Sequence, residues 1–152
     1  MGADLLQAIQ MRSKEVVMAE YYWSEELAPA QFREFHAFYC KEWWTSVRSF
    51  EDVTHMLSHC DLTLFCRDAH GSIIGFARVL SDFTFKAMIF DVIVADQFRG
   101  QGLGKALVDR IITHEKLQRV KGFELYCPNK LVPFYEKLGF VKGTSSMLFN
   151  QR

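Results

Sequence analysis

The sequence predicts an α/β layered fold in which helices flank a central mixed, mostly antiparallel sheet. Three observations lead to this prediction: two segments with helical periodicity near the start, a strand–turn–strand unit after them, and alternating strands and helices in the second half. The 152 residues, 49% of them hydrophobic, can bury one sizeable core and are too few for two ordinary domains. We therefore expect a single domain over residues 14–152, preceded by an extension, residues 1–13, that is either a short helix or a mobile tail.

The first half of the domain is predicted to contain one strand and two helices. Residues 15–22 mix β-branched and aromatic side chains and favour a strand, although their middle part suits a helix equally well. From Pro29, which suits a first helical turn, apolar residues recur at steps of three and four. They are Phe32, Phe35, Phe38, Tyr39 and Trp43. Ser49 and Asp52 have the spacing of a helix N-cap, which predicts a second helix. Its buried side is formed by Val53, Met56 and Leu57.

Turn signals divide the second half into further strands and helices. Residues 62–67, 68–71 and 72–80 are predicted as strand, turn and strand, because Gly71 can adopt the positive φ that such a connection needs. Residues 85–94 form another apolar run, which leads directly into a glycine-rich turn. The later elements are a helix with the apolar stripe Leu103, Ala106, Leu107 and Ile111, a strand at 122–127, a helix at 130–138 closed by Gly139, and a final strand or two within 140–149.

Charge and cysteine content exclude several classes of function. The chain has 18 Lys and Arg against 18 Asp and Glu, so a net charge of +0 gives no long-range attraction to nucleic acid or to an anionic membrane. The cysteines form no C-x-x-C pair, no secretory leader opens the sequence, and no apolar run approaches the roughly 20 residues of a membrane span. We expect a cytoplasmic protein that binds neither nucleic acid nor membrane.

The glycine-rich turn, residues 97–104, is the strongest functional signal. Gly100, Gly102 and Gly104 would each cost about 1 kcal/mol relative to alanine in a helix, so they need a compensating reason. One reason is that bare backbone N–H groups at a helix N-terminus can approach a phosphate closely, with Arg99 and Lys105 adding positive charge. The other is tight packing alone, and the motif by itself leaves both open. The spacing fits neither the dinucleotide motif G-x-G-x-x-G nor the P-loop.

The turn resembles the signature Q/R-x-x-G-x-G/A of the GCN5-related N-acetyltransferases, which Gln97, Gly100 and Gly102 match directly after a strand. Residues 134–140 are similar to the late helix and turn of that family, and the order of elements matches from about residue 15 onward. The resemblance implies an N-acetyltransferase that uses acetyl-CoA and no metal. It also implies that the acetyl group lies between the strand before the turn and the strand at 122–127.

The resemblance further assigns residues to the cofactor. Backbone N–H groups of the turn would hold the pyrophosphate, and the end of the preceding strand would pair with the pantetheine arm like an added strand. The implied cofactor-binding residues are Val92, Ile93, Val94, Arg99, Gly100, Gln101, Gly102, Leu103, Gly104 and Lys105. In the family these two strands diverge, and the opened edge offers an N–H group to the thioester oxygen.

Acetyl transfer needs a neutral amine and a stabilised leaving thiolate, so we sought one base and one acid. Tyr135 stands where many family members have a tyrosine near the cofactor sulfur and is the candidate acid, although a buried tyrosine with a packing role is the alternative. Asp91 and Glu124 are the candidate bases, each with an ion pair as the simpler interpretation, and an ordered water or an already neutral amine can replace both. By strand alternation Asp91 is expected to share a face with Ile89 and Ile93.

Two departures from the family pattern limit this transfer of roles. Phe90 stands where some relatives have a catalytic glutamate, and Pro128 stands where many have an asparagine, with Asn129 one position later. Neither of those family contacts is therefore carried over. Cys127 lies beside the expected acetyl site, but the sequence offers it no evident histidine partner, so it is interpreted as a packed thiol.

Histidines and tryptophans outside the motifs have two interpretations each. His55 and His59 have the spacing of a two-histidine metal face, but the pattern H-E-x-x-H is absent, so a polar surface is predicted. Trp43 is predicted to enter the core. Trp44 either packs or lines a wall of the acceptor pocket for an apolar or cationic amine.

The predicted activity is direct transfer of acetyl from acetyl-CoA to a primary amine of a small metabolite or a protein. The alternatives are a non-catalytic acyl-CoA-binding module and a toxin-like acetyltransferase acting on charged tRNA, which the balanced charge disfavours. The aromatic content, 14%, is compatible with a homodimer.

Overall fold

The computed structural model describes residues 20–150 of the chain. Within this range a five-stranded sheet has the order β1-β2-β3-β4-β5, in which all neighbours are antiparallel except β4 and β5, which are parallel. The strands are β1 (Tyr22–Ser24), β2 (Leu62–Arg67), β3 (Ile73–Ser81), β4 (Lys86–Val94) and β5 (Gly122–Leu125). This arrangement confirms the predicted α/β layers around a mixed, mostly antiparallel sheet.

In the same range four α-helices accompany the sheet: α1 (Phe32–Tyr39), α2 (Phe50–Ser58), α3 (Leu103–Ile112) and α4 (Val132–Glu136). Short 3-10 turns precede α1, α3 and α4, at Pro29–Gln31, Asp96–Phe98 and Asn129–Leu131, and another follows α3 at Glu115–Leu117. Helix α2 begins as predicted, because the Ser49 hydroxyl accepts a hydrogen bond of 3.0 Å from the Asp52 N–H and so satisfies one of the free donors of the first turn.

The two faces of the sheet are covered by different helices. Helix α3 packs on one face, and its core consists of Leu62, Leu64, Ala77, Val79, Ala87, Ile89, Leu107, Ile111 and Leu117. Helices α1 and α2 cover the other face, with Phe35, Phe38, Tyr39, Val53, Phe65, Ile73, Phe76 and Ile93. Helix α3 approaches β3 closely, since a Cβ on Gly75 would lie 3.5 Å from the side chains of both Leu103 and Leu107. Close packing of this kind fixes the start of α3 against the sheet.

A β-bulge interrupts β4. Phe76 pairs with Ile93 but Arg78 pairs with Phe90, so β4 has one extra residue, and Asp91 has a left-handed φ of 53°. The extra residue reverses the alternation of side chains. Ile89 therefore packs in the α3 core and Ile93 in the α1 core. The prediction that Asp91 shares a face with both isoleucines was wrong because regular alternation cannot represent a bulge.

The parallel pairing of β4 and β5 ends early. It runs from Lys86 opposite Gly122 to Ile89 opposite Leu125, whereas β4 continues to Val94. In the described part of the chain, the outer edge of β4 beyond Ile89 has no strand beside it. The two strands thus separate at the place that the family resemblance implied.

Several boundaries differ from the sequence predictions; among them, β5 ends at Leu125 and not at 127, and α4 spans Val132–Glu136 and not 130–138. The first strand is Tyr22–Ser24, later than the predicted 15–22, most of which lies outside the described residues. Helix α1 ends at Tyr39, before Trp43. Residues 140–150 form no strand, so the predicted C-terminal strand was wrong; between 142 and 146 the sequence is entirely polar or glycine and has no apolar alternation to bury. Among residues 20–150, no helix has the length and hydropathy that crossing a bilayer requires.

Candidate active site

The glycine-rich turn connects β4 to α3 through two left-handed residues. Gly100 has φ of 73° and Gly102, the N-cap of α3, has φ of 86°. A Cβ at either position would have no neighbouring atom within 4 Å, so both glycines are required by the backbone conformation and not by protein packing. The open space in front of the turn is also what the close approach of a ligand to the backbone requires.

The start of α3 has free hydrogen-bond donors. The first hydrogen bond of the helix runs from the Ala106 N–H to the Gly102 carbonyl, at 3.0 Å. Within residues 20–150, none of the six N–H groups of residues 100–105 has an intramolecular acceptor. Six free donors at the positive end of a ten-residue helix are suited to hold an anion. Lys105 is next to this site, and its ammonium pairs with Asp109 one turn along the helix.

Arg99 extends away from these amides, toward the end of β4. Its Nε donates to the Val94 carbonyl at 3.0 Å, and its Nη2 lies 2.6 Å from Glu42 Oε1 and 3.1 Å from Asp96 Oδ1. The predicted role of Arg99 was to add charge to the phosphate site, whereas in this structure its guanidinium joins the strand end to the loop between α1 and α2. The family signature also fits the register Arg99-x-x-Gly102-x-Gly104, in which Arg99 is the first motif residue.

Helix α4 packs directly on the turn. A Cβ on Gly104 would lie 3.4 Å from Phe134 Cζ and 3.9 Å from Val94 Cγ2, so this third glycine allows α4 to approach both α3 and β4. Tight packing therefore explains Gly104, whereas the open space needed for a phosphate explains Gly100 and Gly102. Tyr135, the next residue of α4, lies near Cys127, two residues beyond the end of β5.

Tyr135 is buried, with only 8% of its surface exposed, and its ring packs edge-on against Phe134 and Phe140. Burial, assisted by the nearby Cys127 thiol, raises the pKa of Tyr135 to about 12. No hydrogen-bond partner for its hydroxyl occurs among residues 20–150. The hydroxyl oxygen is not among the buried side-chain atoms that lack a partner, so water or a ligand can reach this protonated hydroxyl. Burial likewise raises the pKa of Cys127, which keeps its thiol protonated and a poor nucleophile.

Asp91 is the centre of a buried ion-pair network at the bulge. Its side chain is 8% exposed and accepts hydrogen bonds from Arg78 Nε at 2.6 Å and from the Tyr39 hydroxyl at 2.7 Å, while Arg48 Nη1 lies 3.7 Å away. Burial and the charge of Asp91 raise the pKa of Tyr39, so Tyr39 remains a donor to the carboxylate. Because Asp91 Oδ2 accepts both hydrogen bonds, the carboxylate is part of this network, which favours a structural role for Asp91 over that of a base.

Glu124 is the more accessible of the two candidate bases. It lies on β5 opposite Met88, 48% of its side chain is exposed, and its carboxylate pairs with Lys86. The neighbouring residues beyond the last paired position, Phe90 and Tyr126, place their rings edge-to-face 6.1 Å apart. This aromatic pair beside the strand opening was not predicted, because its members are far apart in the sequence and neither belongs to a motif.

The loop between α1 and α2, residues 40–49, is folded on itself. The hydroxyl of Thr45, which is fully buried, donates to the carbonyls of Tyr39 and Glu42. Trp43 is 79% exposed and Trp44 39%, with the two rings nearly perpendicular and 5.8 Å apart. The prediction that Trp43 enters the core was wrong because α1 ends four residues earlier, so the helical stripe does not extend to it.

The histidines of α2 stack on each other, with ring centroids 4.2 Å apart, and His59 Nδ1 lies 2.8 Å from the His55 carbonyl. Between residues 20 and 150 no three side chains of His, Cys, Asp or Glu cluster closely enough to hold a metal ion. Both His55, on α2, and His59, its C-cap residue, are exposed, which agrees with the polar surface that the sequence predicted.

These features define a class of protein. A strand edge that opens beside six free amides at a helix N-terminus suits an extended ligand with an anionic group, and a buried tyrosine lies near Cys127, just beyond the end of β5. The family model described as an acetyltransferase (GNAT) domain matches residues 60–142, which is more than half of the chain. The chain belongs to this family.

Individual relatives agree with this assignment. The chain is 38% identical over 89 residues to the uncharacterized N-acetyltransferase ycf52 of Pyropia yezoensis. This alignment covers 57% of this chain and 51% of that protein. It is 40% identical over 81 residues to the histone acetyltransferase TAP1 of Glycine max, covering 49% of this chain and 35% of that protein. The chain thus spans about half the length, or less, of these curated relatives.

A solved structure supports the fold over a longer range. A protein from Deinococcus radiodurans R1, proposed to be an acetyltransferase, superposes with a TM-score of 0.74 at 27% identity. The alignment covers 86% of this chain and 89% of that one.

Proposed function

We propose that this protein is an acetyl-CoA-dependent N-acetyltransferase that moves the acetyl group directly to a primary amine. The observation that carries the proposal is the free edge of β4 leading into the unpaired amides of residues 100–105. A strand edge and an anion site in continuous sequence suit a ligand with an amide-containing arm attached to a pyrophosphate. Membership of the acetyltransferase family favours acetyl-CoA among such ligands.

The residues present fit acetyl-CoA. The space in front of Gly100 and Gly102 is free of protein atoms, and the six amides are donors for pyrophosphate oxygens. The Ala95 N–H donates to the Ile74 carbonyl of β3, so the Val94 carbonyl of the same peptide group points to the opposite, free edge of β4. The outward backbone groups of residues 92–94 are therefore oriented to pair with the pantetheine arm. When bound, acetyl-CoA supplies an acetyl group activated as a thioester.

Asp91 acts in this proposal as a positioning residue. Its carboxylate, held by Arg78 and Tyr39, fixes the bulge at the point where β4 loses its partner strand. A fixed bulge holds the outward N–H groups of β4 in one orientation, which is the requirement for stabilising a developing oxyanion.

Tyr135 is the hydrogen-bond donor to the departing sulfur. With a pKa of about 12 its phenol stays protonated at neutral pH. Complete transfer to a thiolate of ordinary pKa would cost about 5 kcal/mol, so the phenol contributes mainly a hydrogen bond that strengthens as the carbon–sulfur bond breaks. The candidate base is Glu124, because it is accessible and lies on the strand that flanks the opening. An ordered water or an amine that is already neutral fulfils the same requirement.

The acceptor is a small-molecule or protein amine. The exposed Trp43–Trp44 corner offers perpendicular ring faces to an aromatic or cationic amine. The name of the soybean relative, a histone acetyltransferase, favours including lysine peptides among the amines tested. Cytoplasmic location and homodimer formation stay predictions from the sequence.

Thiol release from acetyl-CoA tests this proposal. The protein is incubated with acetyl-CoA and a set of arylalkylamines, polyamines, amino sugars and lysine peptides, and acetylated products are identified by mass spectrometry. We expect at least one amine to raise thiol release above hydrolysis with formation of an equal amount of acetylated product. Binding of acetyl-CoA without any acetylated product would instead support the non-catalytic acyl-CoA-binding module.

A further inference from the structure

We infer that Glu42 is a positioning residue that couples the 40–49 loop to the cofactor site through Arg99. The inference rests on the proposed function, because it assigns acetyl-CoA to the edge of β4. Its basis is the position of one guanidinium group. Arg99 contacts the Val94 carbonyl with Nε and the Glu42 carboxylate with Nη2, at 3.0 and 2.6 Å.

Glu42 is well placed for this role. Its side chain is 14% exposed, far less than a loop carboxylate in free contact with water, and its partner is 57 residues away in the sequence. The backbone carbonyl of the same residue accepts from the buried Thr45 hydroxyl at 3.1 Å. The carboxylate is thus attached to a folded part of the loop, so movement of Arg99 is transmitted to the loop backbone.

The loop is tied to β4 at a second point. Arg48, near its other end, donates to the Tyr39 hydroxyl and lies 3.7 Å from Asp91 at the bulge. The 40–49 loop therefore spans the unpaired half of β4, with one ionic contact at the bulge and one at the strand end. Between these contacts are Trp43 and Trp44, the exposed aromatic surface of the loop.

The contact with Val94 makes the arrangement sensitive to a ligand. The Val94 carbonyl faces the free edge of β4, so a ligand amide that pairs with this edge and the Arg99 Nε compete for, or share, the same oxygen. In either case the position of Arg99 depends on whether the edge is occupied. Because coupling between two sites is reciprocal, ordering of the loop also changes the affinity of the edge for its ligand.

Hydrogen–deuterium exchange on the ligand-free protein tests the tether. We expect Glu42→Gln to accelerate amide exchange in residues 40–49 about fivefold while leaving residues 100–105 unchanged. Glu25→Gln is the matched control, because Glu25 forms contacts of similar length with Lys116 and His114 beside β1, remote from the site. Exchange in the 40–49 loop that is the same in Glu42→Gln and in wild type would overturn the inference.

Exchange with CoA tests the coupling. In wild type, saturating CoA is expected to slow exchange both at residues 100–105 and, about fivefold, in the 40–49 loop. In Glu42→Gln, CoA should still slow exchange at residues 100–105 but should no longer slow it in the 40–49 loop. Arg99→Lys should behave likewise with CoA, since an ammonium cannot bridge Val94 and Glu42 as a planar fork does.

Failure of the coupling and failure of the proposed function would give different exchange patterns. Protection at residues 100–105 without any in the wild-type loop, or equal loop protection in wild type and Glu42→Gln, would overturn the coupling and leave the proposed function intact. Absence of protection at residues 100–105 would contradict the proposed function itself and the coupling with it.

Discussion

At the scale of single residues, Tyr135 combines two properties that are seldom found together. It is buried against Phe134 and Phe140, yet its hydroxyl has no partner within the described residues. Hydrophobic packing explains why the ring is held in one place. The hydroxyl oxygen is not itself a fully buried atom, so water or a ligand can be its hydrogen-bond partner.

Substitution of Tyr135 by phenylalanine separates the ring from the hydroxyl. We expect kcat to fall about 100-fold with little change in the KM for acetyl-CoA, because the hydrogen-bond donor is lost and the packing is kept. Steady-state kinetics with the best amine measures this. Tyr22→Phe, an exposed tyrosine on β1, is the control and should retain wild-type kcat. An unchanged kcat in Tyr135→Phe would remove Tyr135 from the mechanism.

The raised pKa of Tyr135 also predicts how stability depends on pH. Its ordinary pKa is 10.0 and its folded value is about 12, so the folded state holds the proton more tightly. The corresponding stability is fully present below pH 10 and is lost as the pH rises toward 12. Between pH 9 and 11 this residue should account for a loss of about 1 kcal/mol in the free energy of unfolding. Urea unfolding of wild type and Tyr135→Phe checks this, and parallel curves over that range would contradict it.

At the scale of elements, local signals were predictable and long-range ones were not. The cap at Ser49 and the hairpin turn at Gly71 depend on a few adjacent residues, so the sequence predicted both. The glycine turn was also predicted as a helix start, since its signal lies within eight residues. The bulge at Asp91 depends on Arg78 and Tyr39 in other elements, and no local pattern specifies it.

The candidate site follows the same division. Gly100 and Gly102 were predicted from their spacing, and Tyr135 from a second motif. The Glu42–Arg99 contact and the Phe90–Tyr126 pair each join residues 36 or more positions apart, so only the folded chain brings them together. The exposed position of Trp43 depends on where α1 ends, which periodicity alone does not determine.

Removing the carboxylate of Asp91 tests the role of the bulge. Asp91→Asn leaves Arg78, only 12% exposed, without its ionic partner. We expect the free energy of unfolding to fall by about 3 kcal/mol, as for other buried pairs that lose one member. Chemical denaturation measures this. Asp109→Asn, which breaks the exposed pair with Lys105, should cost about 0.5 kcal/mol or less. Equal losses of unfolding free energy in the two variants would show that the network at the bulge stabilises the fold no more than an exposed ion pair does.

At the scale of the whole molecule, helices cover both faces of one sheet within residues 20–150, and the pairing of β4 with β5 in that sheet ends early. The α3 core and the α1 core fix β3 and β4 from both faces, while β5 leaves β4 after four paired residues. The rigid cores and the open edge meet at the glycine turn. A molecule with balanced charge has no long-range field to attract its ligand, so affinity must come from this local site.

The most direct test of this account is the affinity of acetyl-CoA for Gly102→Ala and for Gly71→Ala, measured by titration calorimetry. Both glycines have positive φ, 86° and 83°, and neither Cβ would meet another atom within 4 Å, so the backbone strain of the two substitutions is matched. Only Gly102 belongs to the α3 turn with its free amides. The account predicts that Gly102→Ala weakens acetyl-CoA binding at least about tenfold while Gly71→Ala binds like wild type. Equal affinities of the two variants, or no binding by wild type, would contradict it.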